Sequence, residues 1–393
     1  MKPKILVLGA GYAGIMAANR FEKQVKNAEV VLISESTKFK ERIRYHEAAT
    51  TNQFKEIEIK DLLRTRVRFL QSKVNQIRPK EKSVVIEGNP HPIHYDYLII
   101  ALGSSYIRSL DSSVDSIQSQ EAVSEFLKKN RKREIQKLCI VGGGLTGIEM
   151  ATEWKHFNPH SSVTIIDRGE LGSTFSDKAR KYLRTYMLDK DIQILDKTNI
   201  KRILKNEMIL ENQTKLSFDC LLNCSGFESS PLLKNSDFHT NILNQVYVDP
   251  FLRAHEYPEV FIAGDSAYLE NSFLRMGCVT ALPMGAYIAD HIANVINGKN
   301  LIPFAFKFVG RCVSLGREKG LIQFTFANDK PKEWIIKGKW GAVIKELVNR
   351  FTIFSLRMEK LLPFRFYFWP KGNLLEFEEK NLTKSFSTGD TIA

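Results

Sequence analysis

Cysteine is scarce in this chain. Five occur in 393 residues (Cys139, Cys220, Cys224, Cys278 and Cys312), and no two stand as C-x-x-C. An odd number without that spacing argues against a disulfide framework and reads as a chain kept reduced. Cys220 and Cys224 fall on one expected strand, where four residues span about 13 Å, too far for a bridge. Long apolar runs are missing too. Ile5 to Leu8 is only four residues long before Gly9, and nowhere do about 20 apolar residues run together, so neither a signal-peptide core nor a membrane span is expected. Acidic residues are outnumbered, Asp and Glu totalling 44 against 57 Lys and Arg for a net charge of +13. An anionic partner (membrane surface, nucleic acid or acidic substrate) therefore has to be weighed. Residues 301–372 hold fourteen Lys and Arg but five Asp and Glu, which places most of the excess in the last quarter.

What is present is globular: 43% hydrophobic and 26% charged residues, enough for two or three domains with room for a bound cofactor. Residues 4–8, 29–33 and 96–101 read as buried strands, the first followed by glycines and a helix from Ile15 to Val25. A second cycle starts at Lys137 with the strand Leu138 to Val141, a glycine-rich turn, a helix through Phe157 and the strand Val163 to Ile166. Two βαβ units mean an α/β chain with two nucleotide-binding-type domains. Segments 104–120 and 234–245 read as crossings between them. The strand Val260 to Ala263 and a helix from Thr280 to Ile296 follow. Alternation at Phe304, Phe306 and Phe308, then at Leu321, Gln323 and Thr325, predicts short strands, and a long helix is expected over Lys339 to Leu362. The tail after Gly372 is polar and is expected to be mobile.

Two glycine motifs carry chemistry. Gly9-Ala10-Gly11-Tyr12-Ala13-Gly14 follows a strand and opens a helix, with Glu35 at the end of the next strand, 21 residues past Gly14. The first glycine allows the tight turn, the second lets pyrophosphate reach backbone N–H groups, and the third lets helix pack on strand. Glu35 is placed to accept the ribose hydroxyls of an adenosine. Gly142-Gly143-Gly144-Leu145-Thr146-Gly147 repeats the pattern, with Asp167 20 residues past Gly147. Two dinucleotides in one chain imply electron transfer between them. Asp167 favours NADH, since a carboxylate there repels the 2′-phosphate of NADPH, while the adjacent Arg168 leaves NADPH open. Glu149, just inside the second helix, suits either the nicotinamide ribose or the helix N-terminus itself.

The order of segments then becomes specific. The first fingerprint, Leu98-Ile99-Ile100-Ala101-Leu102-Gly103, the second fingerprint with Glu149, Asn223-Cys224-Ser225-Gly226-Phe227, and Ala263-Gly264-Asp265 together resemble the two-dinucleotide-binding flavoproteins of glutathione reductase type, over about residues 4–300. The resemblance implies two Rossmann-like domains, the second inserted in the first, plus a C-terminal α+β module. Residues 1–110 and 240–303 would form the FAD domain, 111–239 the NAD(P)H domain and 304–371 the basic, aromatic module, with 372–393 as tail. It also implies FAD on Gly9, Gly11, Tyr12, Ala13, Gly14, Glu35, Arg42, Ala101, Gly103, Gly264, Asp265 and Ala281, with Asp265 on the ribityl chain. NAD(P)H would lie on Gly142, Gly144, Leu145, Gly147, Glu149, Asp167 and Gly226.

The stretch after Glu35 holds no thiol, which removes the disulfide-reductase branches. One cysteine near the flavin, Cys278, is too few for a sulfide:quinone mechanism, and an inert buried thiol is its simpler reading. What remains resembles type II NADH dehydrogenases and, more closely, ferroptosis-suppressor, apoptosis-inducing-factor-like quinone reductases, the latter through Ser314-Leu315-Gly316-Arg317-Glu318-Lys319-Gly320. One departure concerns the acceptor. The A-Q-x-A-x-Q motif of the type II enzymes falls on Cys278 to Pro283, and Val279 and Pro283 replace its glutamines. Arg42, Arg44, Tyr45 and His46 fall where the family's chain passes the flavin or substrate mouth. His46 and Arg44 are the catalytic candidates beside Cys278, and His46 is the neutral-pH proton donor among them.

The C-terminal helix carries Trp340, Val343, Ile344, Leu347, Val348, Phe351, Phe354, Met358, Leu361 and Leu362 at helical spacing, with Lys339, Lys345, Arg350, Arg357 and Lys360 on other faces. Pro363 to Trp369 continues it, aromatic and basic. Residues 339–369 therefore suit an anionic membrane surface; the alternatives are a helix docked on the FAD domain or a homodimer, with the aromatics as core. Metal binding is not expected, because His91 with His94 and His156 with His160 lack carboxylate or thiol neighbours. The expectation is thus an FAD-dependent NAD(P)H oxidoreductase passing electrons to a quinone-like acceptor, cytoplasmic or peripheral on the cytoplasmic face of a membrane. The rivals are a flavin-dependent dehydrogenase or oxidase of a small organic substrate, and a nucleic-acid-binding flavoprotein with vestigial redox activity. The placement of the charge in the aromatic module disfavours nucleic acid.

Overall fold

The apolar run Ile5 to Leu8 has no solvent exposure because it lies inside a parallel sheet covered on both faces. The computed structural model describes residues 2–106, 114–117, 119–130 and 134–372. Strand β1 (Lys4–Leu8) pairs in parallel with β2 (Glu29–Ser34), which in turn pairs with β3 (Val67–Gln71). On the other side of β1 lies β4 (Tyr97–Ile100). Helix α1 (Tyr12–Gln24) starts three residues earlier than the hydrophobic period suggests, so its first turn belongs to the glycine loop. A short helix, α2 (Tyr45–Thr51), follows β2.

The second unit repeats this plan. Strand β5 (Lys137–Val141), helix α3 (Leu145–Phe157), β6 (Ser162–Ile166), α4 (Asp177–Asp189), β7 (Ile192–Leu195) and β8 (Cys220–Asn223) build a five-stranded sheet completed by Asp115–Ser116. All of its pairings are parallel.

The chain then returns to the first sheet. Strand β9 (Tyr257–Ile262) pairs with β4, and three short strands between 246 and 269 bring that sheet to eight. Helix α5 (Cys278–Ile296) crosses α1 at Gly285, where an added Cβ would overlap the Ala13 carbonyl oxygen. Only a residue without a side chain lets the two backbones touch there.

Beyond α5 the alternation at Phe304, Phe306 and Phe308 is real, but it makes no strand. The segment is extended, and its N–H groups bond in turn to the carbonyls of Pro250, Gly372 and Ala327 rather than to one neighbouring strand. The three rings are buried in a row against Tyr287. An antiparallel meander follows, β10 (Gly310–Leu315), β11 (Lys319–Thr325) and β12 (Pro331–Gly338). Helix α6 (Lys339–Leu361) packs on it where Gly341 meets Gly320 backbone to backbone.

Helix α6 is turned polar side in. Lys345, Asn349, Thr352, Ser355 and Glu359 are buried, while Trp340 is 73% exposed, Leu347 60% and Phe351 49%. The apolar stripe therefore faces away from the rest of the chain, although Ile353 and Leu356 of the helix and Tyr367 beyond it are buried in the core, with Trp369 packed against it. Glu359 explains part of the inversion: it pairs with Lys23 at 2.8 Å and accepts the N–H groups of Phe366 and Tyr367. Among the described residues no helix is long and apolar enough to cross a membrane. Parts of the crossing expected at 104–120, and the tail beyond Gly372, lie outside the described residues.

Candidate functional site

Each glycine motif is built for a phosphate. Gly9 has φ +98°, and an added Cβ would strike the Ala101 carbonyl oxygen; on Gly14 it would strike the carbonyl oxygen of Gly9. Gly11 differs. It caps α1 at φ −80°, ψ −168° without any side-chain cap, and nothing lies within 4 Å of where its Cβ would point. The space in front of a positive helix end is thus left open, as a pyrophosphate requires. Gly142 (φ +109°), Gly144 (φ −78°, ψ −172°) and Gly147 repeat this geometry, with Gly144 again facing open space and Leu145 starting α3.

The other residues assigned to the first dinucleotide gather around this loop. Glu35 is exposed at the end of β2. Ala101 donates its N–H to Leu8, and the carbonyl of Gly103 accepts the Ser229 and Ser266 hydroxyls. Asp265 accepts Ser104 Oγ at 2.6 Å and the Gly277 N–H at 2.7 Å, which fastens the start of α5 to the loop after β9. Arg42 Nη1 donates to the Ser104 carbonyl at 2.6 Å, lies 3.9 Å from Asp265 and stands over the Phe227 ring. Tyr12 packs edge-on to Phe39, and Ala281 lies against Gly264. In the second unit Asp167 accepts the N–H of Gly143 and that of Gly169, the latter at 2.6 Å, so its carboxylate sits at the rim of the glycine loop. Gly226 follows β8 with φ +68°.

The catalytic candidates lie where α2, α3, the β10–β11 turn and α6 converge. Glu149 does not complement its own helix end: its Oε1 accepts the Ser314 N–H at 3.0 Å and pairs with Lys345 Nζ at 3.1 Å. Burial opposes its charge, but Lys345 and His46 outweigh that and hold the carboxyl below the usual range. Burial likewise opposes the Lys345 ammonium, and Glu149 outweighs it, so Lys345 stays charged. His46 is 4% exposed, and burial pushes it down, opposed by Glu149 and Glu47. Its Nδ1 is 3.7 Å from Glu149, its Nε2 4.0 Å from Glu47. Arg44 is not free for substrate, since Glu41, Glu47 and Glu346 each hold it at 2.9 Å. Cys278 is the first residue of α5, and burial pushes its thiol up to about 11, which suits an inert sulfur.

Lys345, Arg317, Glu47 and Glu153 were not singled out as site residues from the sequence. Arg317 bridges Glu153 at 2.6 Å and Glu47 at 3.4 Å. The signal for Lys345 is a charge opposite the apolar stripe of the C-terminal helix; the sequence does not show that this polar face, rather than solvent, is packed against Glu149. Arg317 was visible in the S-x-G-R segment, without a role.

Two open glycine cradles on one chain define an oxidoreductase that brings two dinucleotides together. The family model described as pyridine nucleotide-disulphide oxidoreductase matches residues 3–290, and the chain belongs to that family. It is 27% identical over 299 residues to a probable NADH dehydrogenase of Dictyostelium discoideum, a match covering 66% of each chain. It is 23% identical over 396 residues to a type II NADH:quinone oxidoreductase of Staphylococcus haemolyticus, covering 90% of this chain and 96% of that one. Among solved structures, the sulfide:quinone oxidoreductase of Aquifex aeolicus superposes with a TM-score of 0.76 at 16% identity, over 98% of this chain and 95% of that one. FAD and NAD(P)H are the cofactors of the fold, and the open spaces at Gly11 and Gly144 fit them. When bound, the flavin supplies the hydride acceptor and the electron donor.

Proposed function

We propose that this chain is an NAD(P)H:quinone oxidoreductase working at a membrane surface, with NADH as the preferred donor. The observation that carries the reading is the pair of matched glycine cradles, with Glu149 on the helix of the second paired to Lys345 of α6. Gly9, Gly11, Gly14, Glu35, Arg42, Ala101, Gly103, Gly264, Asp265 and Ala281 bind FAD. Gly142, Gly144, Gly147, Asp167 and Gly226 bind the nicotinamide dinucleotide. Glu149 and Lys345, held charged by one another beside the second glycine motif, orient the nicotinamide end.

The exposed apolar stripe of α6, with Phe364 and Phe368 also exposed and Arg350, Arg357 and Lys339 beside it, is the membrane contact. It places the site within reach of a lipid-dissolved acceptor. Val279 and Pro283, standing where relatives of the type II class carry amides, favour a second reading in which the acceptor is another small organic molecule. NADH consumption by the FAD-loaded protein, with a water-soluble benzoquinone and with O₂ alone, separates the two. Turnover that rises with quinone supports the proposal; turnover indifferent to quinone sinks it.

A further inference from the structure

We propose that Gln323 of β11 is a positioning residue for the nicotinamide dinucleotide: from the C-terminal module it fixes the β6–α4 loop against the second glycine motif. The proposal rests on the reading that this motif holds NAD(P)H. The meander that supplies Gln323 lies beyond residues 3–290, the stretch that the family model matches, so the contact comes from outside the shared dinucleotide fold.

The loop runs from Asp167 to Ser176 and is tied at both ends. At its start Asp167 accepts the Gly143 N–H. Further on, the Gly172 N–H donates to the Gly143 carbonyl at 3.0 Å, and Leu171 lies so close that a Cβ added to Gly143 would stand 3.2 Å from its Cα. The Phe175 N–H donates to the Gly172 carbonyl at 2.8 Å. At the far end the N–H of Ser176, the residue that caps α4, donates to Gln323 Oε1 at 3.0 Å. A short hydrogen-bonded path thus leads from the glycine motif to the module. Phe175 reinforces it, since its ring is buried in one apolar cluster with Val313, Leu315 and Leu321 and lies under the Arg311 guanidinium.

The Gln323 side chain acts by direction rather than bulk. It has no solvent exposure, and a buried amide is tolerated only when its groups are paired. Its Nε2 is ringed by the carbonyl oxygens of Phe324 at 3.0 Å, Trp334 at 3.2 Å and Lys332. Three acceptors fix which end of the amide is nitrogen, so the oxygen is turned to Ser176. Those carbonyls belong to β11 and β12, and the meander therefore holds the amide still. Without Gln323 the buried Ser176 N–H would lack this acceptor, and the loop would shift to satisfy it. Every residue of the path belongs to the second unit or to the meander, so its loss falls on donor binding rather than on flavin chemistry.

The test uses the full-length FAD-loaded protein as wild type, Gln323→Met, Gln323→Leu and Ile322→Ala. Methionine has the length of glutamine without its amide, and leucine is the second apolar variant should the first not accumulate. Ile322 is the neighbour on the opposite face of β11, so its truncation loosens the meander without touching Ser176. Hydrogen exchange of segment 167–176, without NADH or quinone, quickens about fivefold in the Gln323 variants and stays near wild type in Ile322→Ala. Stopped-flow reduction of the flavin then gives the NADH concentration for half-maximal rate and the limiting rate. The Gln323 variants raise the first about fivefold, the effect of one lost neutral hydrogen bond, and change neither the limiting rate nor reoxidation by a benzoquinone. An unchanged half-saturation in them, or an equal rise in Ile322→Ala as general loosening of the module would cause, overturns the proposal. If NADH leaves the flavin oxidised in every form, the parent reading fails instead. Exchange of 167–176 still decides the clamp, and a rate unchanged in the Gln323 variants shows that Gln323 does not hold the loop.

Discussion

Lys345 and Glu149, 196 positions apart in the chain, meet at 3.1 Å with side chains only 11% and 9% exposed. The pair couples α6 to the helix that carries the second glycine motif. Removing one partner strands a buried charge, which typically costs about 3–5 kcal/mol. Lys345→Ala should lose that much in urea unfolding, while Lys345→Met combined with Glu149→Gln recovers most of it. A coupling near zero in the double-mutant cycle would show the pair to be incidental.

The glycines separate folding from binding. Gly11→Ala and Gly144→Ala place a methyl in open space at ordinary backbone angles, so both should fold and melt like wild type. Gly11→Ala should release FAD on gel filtration, and Gly144→Ala should keep FAD but raise the KM for NADH. Gly14→Ala, whose methyl would overlap the Gly9 carbonyl, should fail to accumulate as folded protein.

The proposed function assigns the choice of donor to Asp167. Its carboxylate is tied to the N–H groups of Gly143 and Gly169 at the loop rim, where a 2′-phosphate would meet its charge. Asp167→Ala should shift the ratio of kcat/KM for NADH over NADPH toward NADPH by about tenfold, roughly 1.4 kcal/mol. An unchanged ratio would remove Asp167 from the adenosine site.

Helix α6 should anchor the protein. Phe351 and Phe354 are 49% and 46% exposed on its outward stripe, and each contributes about 1.5–3 kcal/mol if buried in lipid. Phe351→Ser with Phe354→Ser should keep the fold and lose flotation with anionic vesicles. Flotation that survives the change would assign the stripe to another partner.

Glu153 should leave a mark on stability against pH. Its folded value of about 7 lies above the unfolded carboxyl value, so the folded state binds a proton that the unfolded state has released. Its stabilisation is full below the unfolded value and is lost as pH rises toward 7, a change on the order of 3 kcal/mol. Relative to Glu153→Gln, wild type should weaken across that window in denaturant titrations.

The nucleotide units were legible because their signals are local. Gly9, Gly11 and Gly14 stand next to the strand and helix they join, and the second motif repeats them, so the βαβ pattern could be read without knowing any distant contact. The Glu149–Lys345 pair was not legible. Lys345 lies on the polar face of the C-terminal helix, where a lysine reads as solvated, and its partner Glu149 lies 196 positions away on the helix of the second nucleotide unit. Arg44 looked available because the sequence does not show that Glu346 reaches it from α6. Phe304 to Phe308 alternate as a strand does, yet their backbone partners come from three separate segments.

The most direct test of the account is stopped-flow mixing of the FAD-loaded protein with NADH under anaerobic conditions, followed by a benzoquinone. The account predicts bleaching of the flavin band by NADH, slower bleaching by NADPH, and return of the band on adding quinone. A flavin that neither nucleotide bleaches, or that quinone does not restore, would contradict it.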